Sequence, residues 1–310
     1  MRLGVLDIGS NTVHLLLIDA HPGAHPIPFA SHKAPLQLVN YLDAGGAISE
    51  DGQRELVSFV AEAVAFGREH DAEDLLAFAT SAIRESSNGQ QVLDRVRAET
   101  GVELIELSGP EEAAATFLAV RRWYGWGSGT ILNLDIGGGS FELAIGADEQ
   151  PEFAISVPLG AGRLTRDLLQ SDPPTAASVL ETRRYIRDTL EAPIAEFAGR
   201  EKPTIVSGTS KSFRSLARIT GAAPRAAGMF VHRELHLQDL RLWSSRLSAM
   251  AADDRSNLPG VSVLRAHQML AAALVAETAM DGLGADSIRI CPWALREGLI
   301  LRRFDHLQAG

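Results

Sequence analysis

The chain has 310 residues, of which 45% are hydrophobic and 22% charged, and a net charge of −10. That length exceeds what one core fills, so two domains are expected, and the acidic balance argues against a general nucleic-acid or anionic-membrane binder. A single cysteine, Cys291, excludes disulfide scaffolding and thiolate metal clusters; no apolar run approaches a membrane span, and the strand directly after Met-Arg leaves no room for a signal peptide, so a cytoplasmic protein is expected.

Leu3–Asp19 opens the chain as an apolar hairpin with Asp7, Gly9, Ser10, Asn11 and Thr12 at its bend. The Pro/His segment His21–Pro28 reads as a loop. His21, His25 and His32 fit no metal-ligand spacing and are read as solvated. Ser49 starts a helix with Leu56, Val57, Val60 and Val64 at helical period, ending near Gly67–His70. Leu75–Ala79 is a strand that delivers Thr80-Ser81-Ala82-Ile83-Arg84. A turn at Asn88-Gly89 precedes a helix over 90–100, and Val102–Leu107 is the next strand. Ser108-Gly109-Pro110-Glu111-Glu112-Ala113 then starts a helix, with a cap, a proline and acidic residues in their usual places. Glu111 and Glu112 either complement the helix dipole or carry chemistry at a βα junction.

Tyr124–Gly129 is the expected domain boundary, giving domains 1–125 and 126–310, with the closing helix near 296–305 free to pack back on the first. Leu132–Gly146 repeats the first hairpin: strand, Asp135, the small-residue turn Gly137-Gly138-Gly139-Ser140, strand. Gly160-Ala161-Gly162-Arg163 reads as a further loop able to approach an anion. A helix runs from Asp172–Thr175 to about Phe197. Thr204–Val206 is a strand ending in Ser207-Gly208-Thr209-Ser210-Lys211. Lys211 is one of three lysines, and Arg214 follows closely. Leu235–Met250 and His267–Met280 read as helices, Ile288–Cys291 as a strand with a buried, inert thiol, and a closing helix runs through Phe304.

Charge is uneven: residues 1–125 hold 9 basic and 18 acidic residues, against 20 and 21 in the remainder. A polyanionic ligand would therefore be contacted mostly by the second half. Two hairpins of one pattern suggest related halves facing each other across such a ligand. Their glycine-rich turns present backbone amides to phosphate oxygens. Carboxylates repel phosphate, so Mg2+ or Mn2+ between them is the natural solution, with Asp7, Asp135 and Glu142 as candidate ligands. Arg84, Arg214 and Lys211 can neutralise charge, and Glu112 or Glu111 can orient an attacking water.

The stretches Asp7–Thr12, Thr80–Arg84 with Asn88, Ser108–Ala113, Asp135–Glu142, Ser207-Gly208-Thr209 and Ile290–Gly298, in this order, resemble the exopolyphosphatase / guanosine pentaphosphate phosphohydrolase family. The run from Ser207 to Arg214 is similar to the short, actinobacterial-type exopolyphosphatases. The resemblance implies an α/β fold of two ribonuclease-H-like domains, of the actin/Hsp70/sugar-kinase superfamily, with a central cleft. It implies hydrolysis of the terminal phosphate of inorganic polyphosphate, with Glu112 activating water and Glu111 as the fallback. Asp135 matches a carboxylate near the divalent metal, and Glu142 closes its motif. Ser10, Asn11, Arg84, Gly137, Gly138, Gly139 and Ser140 match phosphate-contacting positions; Gly208 and Thr209 form a third expected contact. His14 stands where the family usually has Arg, and Phe141 where it has Thr. The extra C-terminal helical domains of longer members are lacking, so shorter chains are the expected substrate. Relatives are usually homodimers. Alternatives are action on guanosine pentaphosphate or other nucleotides, a kinase, or a phosphate-binding regulator without turnover.

Overall fold

The computed structural model describes residues 1–19, 21 and 26–309. His25 lies outside the described residues, with residues 22–24 of the expected His21–Pro28 loop. By its internal contacts the chain divides into two compact units, Met1–Glu112 with Arg296–Gly310, and Ala113–Leu295. The division falls inside a helix rather than at Tyr124–Gly129, and the closing helix groups with the first unit.

The first unit is built on a five-stranded sheet of order β3-β2-β1-β4-β5, with β1 Arg2–Ile8, β2 Val13–Asp19, β3 Pro28–Ala34, β4 Asp74–Ala79 and β5 Ile105–Glu106. β1, β2 and β3 are antiparallel neighbours, and β4 and β5 continue parallel to β1. Helix α1, Glu50–Glu69, begins where Ser49 accepts from the Gly52 amide and carries Glu50 and Asp51 in its first turn. Its Leu56, Phe59, Val60 and Ala63 pack with Leu6, Ile8, Leu15 and Leu17 of the hairpin, each large side chain stabilising by about 1.5–3 kcal/mol when fully buried. Short helix α2, Ser81–Arg84, and α3, Gly89–Thr100, follow β4, and α3 ends at Gly101 with φ 73°. The expected strand over 102–107 contracts to β5, since only Ile105 and Glu106 pair with β4 at the sheet edge.

Helix α4, Gly109–Tyr124, contains the division between the units. The second unit has a six-stranded sheet of order β10-β11-β9-β6-β7-β8: β6 Ile131–Ile136, β7 Phe141–Gly146, β8 Phe153–Val157, β9 Ile205–Gly208, β10 Glu234–His236 and β11 Ser287–Ile290. β8, β7 and β6 are antiparallel, and β9 and β11 run parallel to β6. The two sheets thus repeat one order and one set of strand directions, with β10 added at the far edge of the second.

Helices of this unit are α5 Ala161–Leu168, α6 Ala176–Ala198, α7 Ser210–Ile219, α8 Leu237–Ser248, α9 Ala252–Ser256, α10 Val263–Ala266 and α11 Met269–Leu283; α12, Leu295–Ala309, closes the chain. α11 is buried almost all round, matching its unbroken apolar run. α6 begins just past the expected Asp172–Thr175 start, where Thr175 Oγ1 accepts from Ser178 N at 3.1 Å. Arg183 on α6 is ion-paired to the buried Glu277 at 2.8 Å. Leu235 belongs to strand β10, paired with Ile288, so the helix expected from Leu235 begins at Leu237. Cys291, the one cysteine of the sequence, is buried and in no disulfide. No helix among the described residues is long and apolar enough to cross a membrane.

Candidate active site

In the first unit the β1–β2 register sets Asp7 opposite His14. Gly9 N donates to Thr12 O at 3.1 Å and closes the bend. Ser10 and Asn11 are both buried, with Ser10 Oγ 2.9 Å from Ser81 Oγ. Thr80 N donates to Ile8 O, so α2 starts beside the bend and delivers Arg84. The Arg84 guanidinium donates from Nη1 to Leu107 O at 2.6 Å and to Glu112 Oε2 at 3.2 Å. Their side chains are 18% and 15% exposed.

The adjacent glutamates have different tasks. Ser108 caps α4 and donates from N and Oγ to Glu111 Oε2, at 2.8 and 2.6 Å, while Glu111 N faces Ser108 Oγ at 3.4 Å. This is a capping box. Those bonds hold the exposed Glu111 carboxyl below the usual carboxylate range. Glu112 lies on Arg84 instead.

Asp7 faces a cation of its own chain. Arg296, from the first turn of α12, places Nε 3.8 Å from Asp7 Oδ2 and donates from Nη1 to His14 Nδ1. Burial raises the Asp7 pKa, Arg296 opposes that, and Glu297 adds to it. Burial, Arg296 and Lys33 depress His14 to about 3, so its ring is neutral and accepts the guanidinium proton.

The second unit repeats the hairpin with different flanks. Gly137 N donates to Ser140 O at 2.9 Å, and the register sets Asp135 opposite Glu142. Both carboxylates therefore rise from one face of the sheet. Asp135 Oδ2 accepts from Thr209 Oγ1 at 2.6 Å; Glu142, 3% exposed, accepts from Ser156 Oγ at 2.7 Å. The turn is held from behind by the start of α5: Gly160 N, Ala161 N and Arg163 N donate to the carbonyls of Gly139, Gly137 and Gly138, and Arg163 Nε also reaches Gly139 O. Gly160–Arg163 is therefore not the anion-approaching loop expected. Its amides are engaged by the turn's carbonyls. Among the described residues the amides of Gly138, Gly139 and Ser140 donate to no protein acceptor, which is the requirement for an anion nest.

Behind Asp135, Gly208 is a sheet residue: a Cβ there would lie 2.7 Å from Ile288 and 2.9 Å from Phe213, and Cys291 N donates to its carbonyl. Thr209 is fully buried and fixes Asp135. Ser210 adopts φ 70°, and its buried Oγ has no hydrogen-bond partner among the described residues, a strained conformation of the kind found at functional sites. Lys211 Nζ donates to Ser262 Oγ at 3.1 Å, and Arg214 Nη1 lies 3.5 Å from Pro292 O. Sequence reasoning missed Arg265. Burial and Arg214 lower its pKa to about 10, and Asp135 opposes them; an arginine opening an apolar helical run was the available signal.

Among the described residues no group of three or more His, Cys, Asp or Glu is arranged to hold a metal ion. Asp135 and Glu142 are a pair of hard oxygen donors on one face, and Ser210, which follows the Thr209 bonded to Asp135, adds an orphaned hydroxyl. That set fits a divalent cation completed by phosphate oxygens and water. Asp7, salt-bridged to Arg296, fits less well.

A model of the Ppx/GppA phosphatase family matches residues 17–307. The chain belongs to the Ppx/GppA phosphatase family. Among similar members of that family, Exopolyphosphatase 1 of Mycobacterium tuberculosis (strain ATCC 25618 / H37Rv) is 52% identical over 305 residues, covering 98% of this chain and 89% of that one. Exopolyphosphatase 1 of Mycobacterium leprae (strain TN) is also 52% identical, covering 98% and 90%. The crystal structure of an exopolyphosphatase from Cytophaga hutchinsonii superposes with a TM-score of 0.88 at 25% identity, covering 99% of this chain and 98% of that one. The two mixed sheets with their helices are the α/β, ribonuclease-H-like architecture that the family resemblance implied.

Proposed function

We propose that this chain is an exopolyphosphatase that releases terminal phosphate from inorganic polyphosphate by in-line attack of water. The observation that carries this reading is the division of labour at the start of α4. Glu111 is committed to the capping box, and Glu112 is held by Arg84 in a half-buried position. Glu112 accepts the proton of the attacking water as the oxygen–phosphorus bond forms. The terminal anhydride bond breaks, and the shortened chain leaves as the anion.

In this reading the amides of Gly138, Gly139 and Ser140 are the phosphate donors of the second unit, and Ser10 and Asn11 are those of the first. Arg84 neutralises charge at its equatorial oxygens while orienting Glu112. Thr209 fixes the position of Asp135. Lys211, Arg214 and Arg265 supply cations for the phosphates that follow, in keeping with the more basic second half. Mg2+ or Mn2+, held by Asp135 and Glu142, would neutralise phosphate oxygens and polarise the bond that breaks. The reading also takes the protein to be cytoplasmic and a homodimer.

The test is Glu112→Gln. It should lower kcat for phosphate release by about 10^2–10^4-fold, while polyphosphate binding, followed by calorimetry, persists. Turnover at the wild-type rate would overturn the assignment. Polyphosphates of defined length assayed beside guanosine pentaphosphate separate the two substrates of this family's name. A larger kcat/KM on the nucleotide would move the assignment to it, and binding without any release by the wild type would make the chain a regulator.

A further inference from the structure

The second unit carries a cavity of about 310 Å3 that the reaction above does not use. Its walls are the C-terminal half of α5, the segment 169–174, Arg255 of α9, and His267 with Leu270. Arg255 is the unusual member. Its side chain is 2% exposed, its Nε donates to Leu247 O at 3.2 Å, and its Nη1 lies 3.5 Å from His267 O. Nη2 is buried and has no hydrogen-bond partner among the described residues. The carboxylate facing it, Asp172, stands 3.9 Å away, beyond hydrogen-bond reach. Both Asp172 oxygens accept from Ala252 N, at 3.0 and 2.8 Å, which fixes the carboxylate where it is.

A buried guanidinium with an idle N–H lacks an acceptor. The rest of the polar lining offers the Arg166 guanidinium and the Ser171 hydroxyl as donors, beside the Gln170 amide, whose Nε2 donates to Arg166 O, and the Asp172 carboxylate held by Ala252 N. Arg166 is tied to its neighbour Asp167, with Nε at 2.6 Å from Oδ1, and sits at the exposed mouth. A cation is disfavoured by two arginines, whereas a small acceptor-only anion would satisfy Nη2 and draw on the mouth donors. We propose that this cavity is a second anion site that takes one phosphate group. Its phosphate is either free orthophosphate or a phosphate further along a bound chain, and only that choice of source rests on the function proposed above. The site is mechanically joined to the second hairpin: α5 has eight residues, so its ends stand roughly 12 Å apart. Its start carries the bonds to the Gly137–Gly139 carbonyls, and its end lines the cavity.

Calorimetric titration of the full chain with inorganic phosphate tests the proposal without requiring turnover. Arg255→Gln should lose one phosphate equivalent relative to wild type. Arg166→Ala, a surface change that leaves the interior intact, should weaken the same equivalent roughly ten- to hundredfold, the loss of one charge-assisted bond. An unchanged titration in Arg166→Ala overturns the proposal, whether or not Arg255→Gln folds. The source is read from kinetics of the Arg166→Ala variant. A raised KM for long polyphosphate with an unchanged KM for tripolyphosphate identifies a chain phosphate. Weakened product inhibition with both KM values unchanged identifies orthophosphate. A wild type that shows the Arg166-dependent equivalent yet releases no phosphate from polyphosphate keeps this site and sinks the hydrolase reading.

Discussion

Glu111 and Glu112 are chemically identical, adjacent, and separable only by what surrounds them. Ser108 takes the first into the capping box, and Arg84 takes the second. Replacing Glu111 with Ala should cost about 1 kcal/mol of stability, read as a lower urea midpoint, and leave kcat within a few-fold of wild type. A collapse of kcat comparable to that of Glu112→Gln would mean that the roles are exchanged. His14 gives a second contrast at this scale. Its folded pKa of about 3 lies below the ordinary 6.5, so the unfolded chain takes up the proton first. The stability tied to its neutral form is complete above the ordinary value and drains as pH falls from there toward the folded one. Urea midpoints at about pH 8 and pH 5 should therefore fall further apart in wild type than in His14→Gln. Equal pH dependence in the two proteins would show that burial, with Arg296 and Lys33, does not hold the ring neutral.

At the level of elements, what the sequence made legible was whatever local chemistry decides. Both hairpins, the Ser49 cap, the Ser108–Glu111 start of α4 and the apolar run of α11 were readable because neighbours in the chain settle them. β5 was misjudged because an edge pairing overrides the apolar pattern. The loop expected at Gly160–Arg163 was a helix start for a similar reason, since its partners are the carbonyls of a turn twenty residues upstream. Arg265 was invisible because only the fold brings it near Asp135. Gly160 makes the point testable. A Cβ there would lie 2.2 Å from Gly139 C and 2.4 Å from Ser140 N, and backbone cannot yield as a flexible side chain does. Gly160→Ala should therefore lose about 1–3 kcal/mol and also lower kcat, because relief of the clash displaces the amides of the turn. Loss of stability with unaltered kcat would show that α5 supports the fold without setting the turn.

Across the whole molecule, the two sheets share strand order and direction, and both hairpins close with the same glycine-to-carbonyl bond. Their chemistry has diverged at one register position. Asp7 is opposed by His14 and approached by Arg296, so the first hairpin carries its own positive charge. Asp135 is opposed by Glu142, so the second gathers two carboxylates, which accept from the hydroxyls of Thr209 and Ser156, while Arg265 acts on Asp135. Like charges directly opposite each other destabilise a strand pair unless something neutralises them. The proposed cation would serve that need at the second hairpin, as Arg296 serves it at the first. The proposed Mg2+ or Mn2+ should therefore depend on the second hairpin alone. Chelation should abolish phosphate release, and Asp135→Asn should raise the metal concentration needed for half-maximal rate by roughly tenfold or more, as loss of a direct or supporting ligand does. Asp7→Asn should leave that concentration unchanged, whatever it does to kcat. Mn2+ binding followed by electron paramagnetic resonance gives the same comparison without turnover. A shift of equal size in both variants would show that the two hairpins share the ion, and would undo the asymmetry argued from His14 and Glu142.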